Sequence, residues 1–113
     1  MHELAITEHL LNHILQFAKQ HKAKKVSNIH ITLGELSGFI DESIEFYWKI
    51  IAKDTCAQHA TITFDYIPGQ TQCLKCNEIY YMKDQLHQCK KCNSYKLKII
   101  SGSELDIDSI TIE

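Results

Sequence analysis

Two short runs, Cys73-Leu74-Lys75-Cys76 and Cys89-Lys90-Lys91-Cys92, constrain this chain more than any other feature. Each C-x2-C turns two thiolates toward one point, and with twelve residues between them the two pairs can close a tetrahedron around one Zn²⁺. A dithiol redox site uses one such pair near a helix start, whereas here two stand in a lysine-rich stretch. An iron–sulfur cluster is less common at this spacing. Asn77 and Asn93 each follow a second cysteine, where such a knuckle turns left-handed, a conformation that Asn tolerates best after Gly. A segment of about thirty residues cannot build its own core, so metal binding, on the order of 10 kcal/mol coupled to folding, must stabilise it. The fifth cysteine, Cys56, reads as a small buried or partly buried residue without chemistry. His87 reads as a solvated loop histidine, with replacement of a thiolate as the alternative.

The rest of the chain must supply the hydrophobic core. At 113 residues there is room for one domain and a small appendage, and 44% apolar with 23% charged residues is ordinary for a soluble globular protein. The formal net charge is −2, and all twelve basic residues are lysines. Nucleic-acid binders lean on clustered positive charge and on arginine's planar fork, so this composition argues against such a role. No apolar run is long enough to cross a bilayer, and the first twenty residues include His, Glu, Asn and Gln where a signal peptide is continuously apolar. The expected location is the cytoplasm, with the cysteines reduced.

Periodicity places the elements. From Glu3 to Gln20, Leu4, Leu11, Ile14, Leu15 and Ala18, flanked by Leu10 and Phe17, recur at helical steps. Val26 to Leu33 alternates, with Ile29, Ile31 and Leu33 on one side, as a half-buried strand does. The turn "GELSG" leads to Asp41 as N-cap of a second helix, whose Ile44, Tyr47, Trp48, Ile51 and Ala52 form one stripe. Ala60 to Ile67 alternates again with Ile62, Phe64 and Tyr66 inward, closed by Pro68-Gly69. Between Gln70 and Lys98 apolar periodicity disappears. A last strand, Leu105 to Ile112, slips phase between Ile107 and Ile110, which predicts a bulge or bend. The expected class is α+β: two helices packed on a short mixed three-stranded sheet, with an inserted zinc-ribbon-like module. Residues 1–69 plus 101–113 would form the α+β domain and residues 70–100 the zinc-binding module.

The chain begins Met1-His2-Glu3-Leu4. Met1 is expected to be retained, because its removal requires a small second residue. The terminal amine of Met1, the amide nitrogen of His2 and its imidazole Nδ1 can wrap one ion in fused rings, a planar nitrogen field that favours Ni²⁺ or Cu²⁺ over Zn²⁺. Glu3 can add its carboxylate or amide, and Asp41 or Glu42 can join if their loop folds beside the terminus. The plainer alternative is that His2 stands there by chance and Glu3 complements the positive end of the helix. His9 and His13, at i and i+4, form a further possible chelating pair or simply a polar flank. His21, His30 and His59 show no constellation.

Four stretches together carry a family likeness. In order and spacing, "MHEL", "LGELSGF" at Leu33 to Phe39, the paired C-x2-C motifs and "SGSELDIDSI" from Ser101 resemble the HypA/HybF nickel-insertion family of [NiFe]-hydrogenase maturation. The likeness covers nearly the whole chain and implies a nickel metallochaperone. By that resemblance nickel is held at the amino terminus by His2 and Glu3, with Asp41 preferred to Glu42 as the loop acid that joins them, and zinc by Cys73, Cys76, Cys89 and Cys92. It also implies delivery to the hydrogenase large-subunit precursor with the GTPase HypB, and service to urease and its accessory proteins in some bacteria. The alternative from another class is a zinc-ribbon adaptor for nucleic acid or a transcription or translation protein; a thiol–disulfide oxidoreductase is a third. No Ser/His/Asp triad, phosphate loop or carboxylate pair argues for an enzyme.

Overall fold

The computed structural model describes residues 2–84 and 87–113, without the side chain of Asp84. The elements run α1 (Glu3–Gln20), β1 (Val26–Gly34), α2 (Asp41–Ile51), β2 (Thr61–Ile67), β3 (Gln70–Cys73), β4 (Ile79–Tyr81), a 3-10 turn (Met82–Asp84), β5 (Leu97–Ser101) and β6 (Leu105–Ile112). They form two compact units. The first contains Met1–Thr32, Gly38–Asp65 and Asp106–Glu113; the second contains Leu33–Ser37 and Tyr66–Leu105.

In the first unit α1 packs against α2, and the strand order is β2-β1-β6. Side-chain partners of β1 and β2 advance in step, Asn28 with Thr63 and His30 with Asp65, as in a parallel pair. Backbone partners across β1 and β6 run in opposite senses, Lys25 with Glu113 and Gly34 with Glu104, as in an antiparallel pair. The sheet is therefore mixed and the class α+β, as the periodicities predict. Its core gathers Leu10, Leu11, Ile14 and Ala18 from α1, Val26, Ile29 and Ile31 from β1, and Ile44 and Trp48 from α2 with Ala52 at its C-cap. The indole of Trp48 donates to the carbonyl of Ala57 at 3.3 Å, which satisfies its one polar atom.

Three expectations need correction. Leu4 is 42% exposed, whereas Leu10, assigned to the flank, is 5% exposed. The buried stripe of α1 begins with Glu3 and Thr7, polar residues that an apolar count passes over. Thr7 Oγ1 can lie there because it donates to the carbonyl of Glu3. Asp41 is the first residue of α2; the N-cap is Ile40, extended at φ −117° and ψ 130°, and it makes no side-chain capping bond. Asp41 Oδ1 instead accepts the amide of Glu42 at 2.8 Å. Tyr66 is 60% exposed, because the alternation of β2 slips after Asp65, where the chain leaves the first unit. The phase slip expected in β6 is present: Asp108 and Ser109 are both exposed between half-buried Ile107 and Ile110.

The second unit holds an antiparallel sheet in the order β4-β3-β5, with Ile100 as an extra residue opposite the Gln70/Thr71 step. Leu33–Ser37 joins it by backbone bonds: Gly34 to Glu104, Glu35 to Ile67 and Leu36 to Gly102, at 2.7, 2.9 and 2.6 Å. A Cβ on Gly34 would lie 2.1 Å from the carbonyl oxygen of Gly102, so no side chain fits there. Glu35 accepts the amide of Gly69 at 2.6 Å, and Glu104 accepts those of Gly102 and Ser103 at 2.8 and 3.1 Å. The stretches "GEL" and "GSE" are thus two halves of one backbone knot.

Ile14 is fully buried, so Ile14→Ala should destabilise the first unit by about 2–5 kcal/mol. Leu4→Ala should cost less than about 1 kcal/mol. Denaturant unfolding followed by the fluorescence of Trp48, the single tryptophan, measures both.

Candidate metal centres

The second unit has almost no apolar interior. Leu74, Ile79, Tyr95 and Ile99 are each at least half exposed, and the fully buried side chains are those of Cys73 and Cys89. The two cysteine runs fold alike. In one knuckle the amide of Cys73 donates to Glu78 and that of Asn77 to Cys73; in the other Cys89 donates to Ser94 and Asn93 to Cys89, all at 2.9 Å. Asn77 and Asn93 stand at φ 65° and 62°, the left-handed turn expected of them. Gln72 and Gln88 clamp the carbonyls of Asn77 and Asn93 at 3.1 and 2.8 Å. The repeated "QC-x-KCN" in the sequence carries this feature, which a count of cysteines alone misses.

The four sulfurs converge within 4.8 Å of one another, with Cys73–Cys92 and Cys76–Cys89 at 3.5 Å. Sulfurs about 2.3 Å from a central ion define a tetrahedron with edges of about 3.8 Å, so the set fits a tetrahedral metal. All four expected residues are brought together.

Local hydrogen bonds divide the sulfurs into two kinds. The amides of Cys76 and Lys75 hold the Cys73 thiol below its ordinary range against desolvation. The hydroxyl of Tyr80, 3.3 Å from Cys89 Sγ, lowers that thiol to about 6 with help from the amides of Cys92 and Lys91. The same bond pushes the Tyr80 hydroxyl up to about 12. At Cys76 the Glu78 amide pulls the thiol down, but desolvation and hydrogen bonding among the sulfurs outweigh it and push it up to about 12. Cys92 is raised as well: the Ser94 amide pulls it down, but desolvation and hydrogen bonding with Cys73 and Cys89 outweigh it. The Cys89 thiol is therefore poised to bind as thiolate, the Cys73 thiol is shifted in the same direction, and the second cysteine of each knuckle releases its proton to solvent when an ion binds.

At the other end of the chain, His2 is exposed just before α1 and makes no side-chain capping bond. Glu3 is 8% exposed on the buried stripe. Asp41 is half-buried and Glu42 exposed, both in the first turn of α2. Met1 lies outside the described residues. Among the described residues, His2, Glu3 and Asp41 do not form a converging set of three donors. His9 and His13 are exposed, as are His59 and His87, and Cys56 is half-buried. His30, expected to stand apart, instead lies with Asp65 and Asp108 in a second converging set. Pairing three strands brings these residues together, and nothing local in the sequence marks it.

The family model described as hydrogenase/urease nickel incorporation, metallochaperone, hypA matches residues 1–112. A protein named hydrogenase maturation factor HypA from Dehalococcoides mccartyi is 34% identical over 113 residues, covering 100% of this chain and 95% of that protein. A protein of the same name from Caldanaerobacter subterraneus subsp. tengcongensis is 32% identical over 114 residues, with 100% of both covered. The fold is shared with the solution structure of a HypA protein, at TM-score 0.76 and 19% identity over 100% of this chain and 97% of the other. It is shared also with that of the Ni metallochaperone HypA from Helicobacter pylori, at TM-score 0.66 and 19% identity over 99% and 97%. The matches favour the nickel-incorporation family over a zinc-ribbon adaptor.

Tyr80→Phe removes the hydrogen bond that stabilises the Cys89 thiolate, so metal retention by the cysteines at neutral pH should weaken by about tenfold or more, read by competition with a chelator. Ion binding displaces the protons of the raised Cys76 and Cys92 thiols, so retention should already weaken as pH falls through the neutral range, and more steeply below about 6, where the Cys89 thiol also competes for protons. The same competition, repeated across pH, measures it.

Proposed function

Since this chain belongs to the HypA family of hydrogenase and urease nickel-incorporation metallochaperones, we propose that it carries Ni²⁺ at its amino terminus and delivers it to a [NiFe]-hydrogenase large-subunit precursor. The terminal amine of Met1 and the amide and imidazole nitrogens of His2 hold the cargo. Glu3 takes part through its carboxylate or its amide nitrogen; a hydrogen bond with the terminal amine holds that carboxyl below its ordinary range, which keeps it beside the proposed ligands. Asp41 is the proposed additional oxygen ligand. The observation that carries this proposal is that the family match begins at residue 1, so that Met1-His2-Glu3 falls inside it. The exposure of His2, free of capping contacts, supports it.

Zinc is the proposed resident ion of Cys73, Cys76, Cys89 and Cys92, where it serves as a structural cross-link. The four sulfurs surround it with a complete tetrahedron and leave no position for a substrate, the arrangement of a structural rather than a catalytic site. The protein acts as a carrier, not an enzyme. Its proposed partners are the GTPase HypB, the hydrogenase precursor and, where urease is present, urease accessory proteins. The exposed Leu74, Ile79, Tyr95 and Ile99 of the cysteine-bearing unit support a role for that unit in docking them. No helix among the described residues is long and apolar enough to cross a membrane, and the cytoplasm is the proposed site of action.

A chain end suits a carrier. It is open to ligand exchange, and protons compete for its nitrogens, with reference values of about 7.7–8.0 for an α-amine and about 6.5 for His. The same nitrogens bind Cu²⁺ more tightly than Ni²⁺, so delivery to the correct enzyme depends also on metal supply and on docking.

A nickel titration of three chains tests the proposal: the native form, His2→Ala, and a form with two residues added before Met1. Both altered forms should bind at least about tenfold more weakly, and native affinity should fall as pH drops from about 8 to about 6. Equal binding by all three chains would exclude the amino terminus.

A further inference from the structure

The outer face of the first unit's sheet carries a cluster that nickel transport at the chain end does not use. His30 is on the central strand β1, Asp65 on β2 and Asp108 on β6, so the three occupy adjacent strands in one row. Ile29 and Ile31, the neighbours of His30, are fully buried, which turns the imidazole to the opposite face. One donor atom from each of the three lies within 4.8 Å of the others. His30 Nε2 and Asp65 Oδ2 are 2.6 Å apart, and Thr32 Oγ1 donates to Asp108 Oδ2.

We infer that His30, Asp65 and Asp108 form a binding site for a first-row divalent cation on this face of the sheet. Three features carry the inference. The donors come from three paired strands, a platform that holds their backbones in place without any ion. Two carboxylates balance the charge of one divalent cation when the imidazole binds as a neutral ligand, whereas a protonated His30 offsets only one of them. The set is one nitrogen with two oxygens, which suits Co²⁺, Ni²⁺, Zn²⁺ or Mn²⁺ and leaves open positions for water. Metal–nitrogen and metal–oxygen bonds of about 2.0–2.2 Å put donor atoms about 3–4 Å apart, so small side-chain rotations close the set around an ion. On binding, Nε2 gives its lone pair to the ion, Nδ1 carries the one proton of the neutral ring, and the ion replaces the His30–Asp65 hydrogen bond. Thr32 holds Asp108 in place from behind, as outer-shell donors do for metal-binding carboxylates. With one side chain in each of three strands and both carboxylates exposed, the site exchanges its ion readily, unlike the closed cysteine set.

The test uses the full chain with zinc on its cysteines and two residues added before Met1, so that the proposed terminal chelate is absent and the two proposals fail separately. Co²⁺ is titrated while visible absorption and the NMR signals of the His30 ring are followed. The expected result is one site whose occupancy tracks a paramagnetic shift of the His30 ring. In Asp65→Asn/Asp108→Asn the affinity should drop at least tenfold with Trp48 fluorescence unchanged, and Thr32→Val should weaken it by a smaller factor. Co²⁺ uptake that leaves the His30 ring unmoved, as binding at His9 and His13 would, overturns the inference. So does unchanged affinity in the double variant, which would leave only an ion pair at this place. If the double variant does not fold, the His30 signals of the unsubstituted chain decide alone.

Discussion

The convergence of four cysteine sulfurs is the interaction on which the second unit depends. Among the described residues of this unit many large apolar side chains face solvent, while Cys73 and Cys89 are fully buried. A unit with so small an apolar interior cannot offset the conformational entropy of its loops by burial alone. The knuckles point backbone amides at the Cys73 and Cys89 sulfurs, and the Tyr80 hydroxyl at Cys89, which lowers those two thiols, while Cys76 and Cys92 are pushed up. On the proposal of a resident ion at these sulfurs, its binding and the folding of this unit would be one equilibrium.

The second constraint is steric. Gly34 and Gly102 come together so closely that a Cβ on Gly34 has nowhere to go, and Glu35 and Glu104 then accept the amides that the surrounding turns leave unpaired. Two of the stretches that carry the family likeness, "LGELSGF" and "SGSELDIDSI", thus meet in one structural feature. Glu35 and Glu104 are occupied with backbone, which distinguishes them from metal ligands. The cysteine site and the proposed terminal site differ in closure: four sulfurs would surround one ion, and a chain end leaves another open to exchange.

Much of this was legible in the sequence. The helix over Glu3–Gln20, the alternation of β1, the stripe of α2 and the left-handed Asn77 and Asn93 all follow from short-range pattern. Local reasoning failed where a polar residue occupies a core position, as Thr7 does, since its side chain is satisfied by a bond that periodicity does not record. It failed at Tyr66, where the strand crosses from one unit to the other. It gave no strands between Gln70 and Ser101, because β3, β4 and β5 are short and defined by cross-strand partners rather than by alternation. The candidate cysteine site was read in full, whereas Tyr80 was not recognised: its contact with Cys89 spans nine positions and depends on the register of β4.

What the sequence determined by itself is whatever rests on neighbours a few residues apart: two helices, alternating strands, and a pair of knuckles whose spacing suits one ion. The tertiary structure alone decided which side chains from distant strands share a face, which put His30 beside Asp65 and Asp108. It also decided that Leu33–Ser37 belongs with residues far along the chain. The physical reason is range. Helix periodicity and knuckle geometry are set by bonds within a turn, whereas strand pairing joins residues tens of positions apart, and its partners are chosen only when the sheet forms.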